Sequence, residues 1–227
     1  MVTLCSAGVD GHVSFSIDAL EKTLSRCWGN YVKGVLAGLR SAGVGLCGFD
    51  ACVASDIPVG GGLSSSAALE IVFGIAVLKL LGREMDPMVL AKLCQRAERD
   101  YAGVPCGLMD QAAVVFCQKG ELLFFDCEKE TFEGVPFEDP QWGLLIANSG
   151  VAHKLADGEY GRRRVAAERL GVSSLRHIAF EHLDEALALV EFDEEMVRYV
   201  RHVVTENWRT RNLVTALRSC DYAAAGF

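Results

Sequence analysis

The sequence predicts an α+β fold, and three observations lead there. Strand-like and helical stretches are interleaved without the regular strand–helix–strand alternation of a parallel-sheet protein. The final third reads as helix alone. Hydrophobic residues make up 51% of the 227, enough to build a substantial core. A change of domain is expected near residue 140, at "FEDPQ", so that residues 1–140 form a first domain and 141–227 begin a second.

Taken in order, "VTLCSAGVDGHVSFSID" reads as two strands around a turn at Gly8 to Gly11. "NYVKGVLAGLRSAG" predicts a helix from about Trp28 to Arg40, ended by Gly43. "GFDACVASDIP" alternates and breaks at Pro58, as a strand does. A glycine-rich loop follows, then a helix from about Ser65 to Leu81, closed by Gly82. In "MDPMVLAKLCQRAERDYAG", Asp86 is an N-cap, Pro87 suits the first helical position and Gly103 is the stop. Leu90, Leu93, Cys94, Ala97 and Tyr101 form its apolar stripe. "VPCGL" leads into a short helix starting near Met109. Strands are expected at Leu122–Cys127 and Trp142–Asn148. Helices are expected at about Glu159–Leu170, Phe180–Val190 and Asp193–Arg218. The last presents Met196, Val200, Val203, Val214 and Leu217 on one face.

The net charge of −8 and pI of about 5.2 argue against nonspecific nucleic-acid binding, which needs a basic surface. Arg162, Arg163 and Arg164 accordingly read as a solvated helix face. Nine cysteines, with no CxxC pair, suggest neither a disulfide framework nor a zinc site. Most are expected to be buried small hydrophobes in a reducing cytosol. Met1 to Asp18 lacks the basic start and apolar core of a signal peptide. The apolar run Ala67 to Leu81 carries Glu70 and Lys79 and is too short to span a bilayer. The expectation is a cytoplasmic monomer that binds neither membrane nor nucleic acid.

One stretch is built differently from the rest. "PVGGGLSSSAALE" sets Gly60, Gly61, Gly62 and Leu63 ahead of Ser64, Ser65 and Ser66 and the start of a helix. Glycines let a backbone take positive φ and approach a ligand closely. A helix N-terminus offers unpaired N–H groups and partial positive charge, a ready site for a phosphate. The stretch has no lysine and so is no Walker A loop, and it matches neither GxSxG nor GxGxxG. The plain alternative is a flexible loop with a serine N-cap.

Several stretches together resemble the GHMP small-molecule kinases, and most of all the galactokinases. They are "PVGGGLSSSAALE", "NYVKGV", "PCGLMDQ", "LLFFDC", "NSGVAHKLADGEYGRRR" and "RHVVTENWRT", in the family's order and spacing from about residue 28 onward. The resemblance implies the two-domain GHMP fold, ATP and Mg²⁺ as cofactors, and a monosaccharide, galactose above all, as substrate. It implies that the loop from Gly60 to Ser66 cradles the phosphates. Asp110 matches the family's general base toward the C1 hydroxyl. On its own, a carboxylate at a helix start reads as either a base or a cap. Ser66 and Glu98 match the metal ligands; by pattern alone Glu98 sits at the border of a buried face, lining a cleft or on an ordinary rim. Gly107 and Tyr160 match residues that lie against the sugar, although Tyr160 alone would read as packing. The family's opening motif, of the form GRxNxIGEHxDY, and its third glycine-rich motif have no match here, so the expectation is the middle portion of a galactokinase. The implied activity is ATP-dependent phosphorylation of the anomeric hydroxyl. The alternative is a non-catalytic sugar- and ATP-binding regulator or an inactive fragment.

Overall fold

The computed structural model describes residues 1–9, 11–24, 27–139, 141–147 and 167–225. The chain forms two compact units. The first is built on Met1–Lys119 with Phe125–Phe132, and the second on Gly120–Phe124, Glu133–Asp139 and the described chain after residue 166.

In the first unit, β1 (Val2–Ser6) lies at the centre of a three-stranded sheet. It pairs antiparallel with β2 (His12–Phe15), from Val2↔Phe15 to Cys5↔His12. It pairs parallel with β3 (Phe49–Val53), from Val2↔Phe49 to Ser6↔Val53. The parallel pair needs a crossover, supplied by α1 (Gly29–Ser41). Alternation along β1 sends Val2 and Leu4 into the core. They meet Val32, Val35, Leu36 and Leu39 of α1, spaced i, i+3, i+4 and i+7. Each fully buried side chain of this size stabilises by about 1.5–3 kcal/mol.

The other helices of this unit are α2 (Ser65–Leu80), α3 (Pro87–Ala97) and α4 (Met109–Phe116). Asp86 caps α3 as expected, accepting from the N–H groups of Met88 and Val89. Glycines set the spacing of the helices. A Cβ on Gly38 would stand 2.7 Å from Leu93, and one on Gly74 would stand 2.7 Å from Leu90. One on Gly34 would lie 2.8 Å from the Cβ of Ala97 and 3.0 Å from its Cα. A single π-helical turn, Glu98–Ala102, extends α3 and ends at Gly103 with φ 74°.

The hairpin of β4 (Glu121–Asp126) and β5 (Thr131–Pro136) forms a separate two-stranded sheet. β4 agrees with the sequence reading, and β5 was not anticipated. The expected strand at Trp142–Asn148 is not formed: residues 142–147 adopt no strand, and Asn148 lies outside the described residues.

In the second unit, α5 (Leu183–Ala188) packs against the 25-residue α6 (Glu194–Arg218), with α7 (Tyr222–Ala225) beyond. Asp193 caps α6 through the Met196 N–H. Met196, Val200 and Val204, four apart, join Leu175, Leu183 and Leu187 in one cluster. Of the expected stripe, Met196, Val200, Val214 and Leu217 are buried, while Val203 is only half-buried and Val204 is buried in its place. Val214 and Leu217 pack with Val135 of β5. Most of the expected helix Glu159–Leu170 falls outside the described residues, as do Tyr160 and the three arginines.

All nine cysteines are free thiols. The expectation that most are buried is overturned: only Cys94 and Cys106 are, while Cys47, Cys52, Cys117, Cys127 and Cys220 are exposed. No helix among the described residues is long and apolar enough to cross a membrane.

Candidate active site

The glycine loop leaves β3 and turns into α2 through three left-handed residues: Gly60 (φ 73°), Gly62 (φ 77°) and Ser64 (φ 54°). For serine that conformation is strained by about 1–3 kcal/mol, and such strain concentrates at ligand sites. Gly61 is constrained differently. Its N–H donates to the Pro58 carbonyl at 3.3 Å, and a Cβ would stand 3.0 Å from the Pro58 ring. Ser64 occupies the N-cap position of α2, yet its side chain accepts no capping hydrogen bond. A plain serine cap therefore does not describe this loop. The first turn of α2 presents its amides without a side-chain cap.

The helix start is tied to the end of α3. Ser66 Oγ donates to Glu98 Oε1 at 2.8 Å, and the other oxygen, Oε2, accepts from Gln111 Nε2 at 2.7 Å. Glu98 is the first residue of the π-helical turn and is only 3% exposed. The sequence placed it at the border of the buried face, and the structure corrects this. A regular helix was assumed, whereas the chain widens at Glu98 into a turn of the kind found at functional sites. Gln111 also reaches Glu70 Oε2 at 3.4 Å, and both Glu70 and Gln111 are fully buried. Burial, with the Glu98 charge close by, pushes the Glu70 carboxyl up to about 9, and the Gln111 hydrogen bond offsets part of this. Burial also pushes up the thiols of Cys94 and Cys106, each further raised by the two glutamates.

Asp110 lies in the first turn of α4 and is half-buried. It is not a cap, because Leu108 takes the N-cap position. The next residue of α4, Gln111, is the one that grips Glu98. The approach to α4 is pinned by a residue that sequence reasoning missed. The Arg99 guanidinium donates to the Cys106 carbonyl through Nε at 2.8 Å and Nη2 at 2.6 Å. Gly107, the next residue, is exposed, with open space where a Cβ would be. Tyr160 lies outside the described residues.

Beside the loop opens a cavity of about 600 Å³. Ser65 and Ser66 form part of its wall, with Trp28, Tyr31, Ile57, Leu69 and Val72 supplying a mostly apolar remainder. Such a lining suits a flat, weakly polar ring. The sequence signal for it was the pair of aromatics flanking "GN" in "WGNY" at Trp28 and Tyr31. Glu70 was also legible in principle, as the one acid in an otherwise apolar helix.

A family model, the GHMP kinases N terminal domain, matches residues 30–118. A galactokinase of Streptomyces coelicolor is 41% identical over all of this chain and 60% of its own length. A human galactokinase is 43% identical over 88% of this chain and 51% of its own length. The chain is similar to the galactokinases over its whole length, and its residues 30–118 match the GHMP kinases. A crystal structure of Lactococcus lactis galactokinase complexed with galactose superposes with a TM-score of 0.82 at 29% identity. It matches 96% of this chain and 59% of its own. The chain thus spans less than two thirds of the length of these relatives. The Gly60–Ser66 loop, Glu98 and Asp110 all fall inside the stretch matched by the GHMP family model.

Proposed function

We propose that the protein is a galactokinase, transferring the γ-phosphoryl group of ATP to the anomeric hydroxyl of galactose to give galactose 1-phosphate. The observation that carries this reading is the Ser66–Glu98 hydrogen bond at the mouth of an uncapped, glycine-fronted helix. It sets a hydroxyl and a carboxylate where a nucleotide's phosphates would arrive. The names of the relatives, and the galactose bound to the Lactococcus lactis enzyme, point to the acceptor.

In this reading the amides of Gly60 to Ser66 hold the phosphates, and the apolar cavity takes the base. Asp110 receives the proton of the sugar O1–H as O1 bonds to the γ-phosphorus and the bond to the ADP oxygen breaks. Gly107 and Tyr160 lie against the sugar, with Gly107 admitting a close approach.

Ser66 and Glu98 fit a magnesium ion. Both are hard oxygen donors, and their 2.8 Å separation is close to the roughly 2.9 Å between adjacent ligands of an octahedral ion with bonds of about 2.0–2.1 Å. Among the described residues no three acidic, histidine or cysteine side chains cluster as a metal cage. That suits an ion completed by phosphate oxygens and water. Bound there, Mg²⁺ would offset charge on the phosphates.

The test is phosphorus NMR of the protein with ATP, Mg²⁺ and galactose. A growing resonance of an α-sugar 1-phosphate, absent when galactose is omitted, is expected. Nucleotide binding without any sugar phosphate would overturn the kinase assignment in favour of a sugar- and ATP-binding regulator.

A further inference from the structure

We propose that Gln111 and Glu70 are positioning residues for Glu98: the buried amide of Gln111 grips the carboxylate, and Glu70 keeps that amide turned the right way. This rests on the reading of Glu98 as a magnesium ligand. The accounting of donors leads to it. An amide nitrogen has two N–H groups, and Gln111 Nε2 has two acceptors, Glu98 Oε2 at 2.7 Å and Glu70 Oε2 at 3.4 Å. Both donors are used. The amide oxygen, Gln111 Oε1, is buried with no partner, and so is Glu70 Oε1. A flipped amide would turn its oxygen toward the Glu98 carboxyl oxygen and lose the donation to both glutamates, so the flip is opposed.

Two buried oxygens without a hydrogen-bond partner, Glu70 Oε1 and Gln111 Oε1, are a loss of stability that packing alone does not explain. A metal-ligating carboxylate, by contrast, needs this kind of support. Groups behind a ligand fix its orientation, and removing one weakens metal affinity by about 10–100-fold. Glu98 has one oxygen fixed by Ser66 and the other by Gln111. Among the described residues Glu70 forms no ion pair, and its carboxyl is held above its usual range by burial.

The test uses Mn²⁺ as probe, titrated by electron paramagnetic resonance into the purified protein with adenylyl imidodiphosphate. Gln111→Leu should weaken Mn²⁺ affinity about tenfold or more, while affinity for the analogue in EDTA changes by no more than about twofold. Glu70→Gln, which preserves an acceptor, should stay within about threefold of the parent, whereas Glu70→Met should fall well below it. A merely structural role would move the metal-free affinity as well. If Gln111→Leu does not fold, equal Mn²⁺ affinities in Glu70→Gln and Glu70→Met overturn the proposal. Glu98→Gln is the reference. If it too leaves Mn²⁺ affinity intact, the magnesium reading itself falls and takes the positioning role with it. If it abolishes binding while Gln111→Leu does not, the positioning role alone is wrong.

Discussion

Asp110 and Glu98 are both carboxylates of the candidate site, yet their surroundings assign them different work. Glu98 is buried and has a hydrogen-bond donor on each oxygen, so it is suited to hold something in place. Asp110 is half-buried in the first turn of α4, where no capping role occupies it. A group that must accept a proton from an arriving hydroxyl needs that freedom. Asp110→Asn removes the basic oxygen while keeping size and polarity. Turnover should fall by about 10²–10⁴, the usual size of a general-base contribution, with nucleotide affinity unchanged. Steady-state kinetics alongside calorimetry would show it. Turnover within a factor of a few of the parent would leave Asp110 with no catalytic part.

At the scale of elements, the loop and the helix contacts make separate demands on glycine. Gly61 is crowded by Pro58, so Gly61→Val should distort the loop and weaken nucleotide binding at least about tenfold, or about 1.4 kcal/mol. Calorimetry with unchanged affinity would remove the loop from the site. Gly34 instead lets α1 lie against Ala97, whose backbone Cα is 3.0 Å from where a Cβ would go. Backbone yields less easily than a side-chain end, so Gly34→Ala should destabilise by about 1–3 kcal/mol. It should also disturb Glu98, the next residue along. Chemical denaturation checks the first effect and Mn²⁺ affinity the second. Which elements were legible in the sequence follows the same division. Asp86, Asp193 and the glycine loop act on their own neighbours, so short stretches of sequence announce them. The Ser66–Glu98–Gln111 cluster draws on three segments, and its key residue sits where α3 widens into a π-helical turn that helical periodicity does not foresee. β5 was not anticipated because "TFEGVP" carries Gly134 and Pro136, two residue types depleted in strands. "WGLLIAN" failed in the opposite way: its apolar run reads as a strand, and residues 142–147 adopt none.

For the whole molecule, the buried cluster ties stability to pH. Glu70 keeps its proton in the folded chain up to about pH 9. In the unfolded chain an exposed glutamate releases it near about 4.3. Between those limits the folded state binds more protons than the unfolded one, so stability falls as pH rises. The contribution is complete below the unfolded value and lost as pH climbs through the folded one. Its size is on the order of a few kcal/mol, reduced by any water that reaches the site. Glu70→Gln is neutral at every pH and cannot take part. In buffers free of divalent ions, urea unfolding of the parent from pH 5 to pH 9 should show stability declining. The Glu70→Gln curve should decline less, so that the variant gains on the parent steadily and the difference is largest near pH 9. Other titrating groups affect both proteins alike, and the difference isolates Glu70. Parallel curves would mean that Glu70 is ionised in the folded chain, with a counter-charge or water reaching the oxygen that now stands alone.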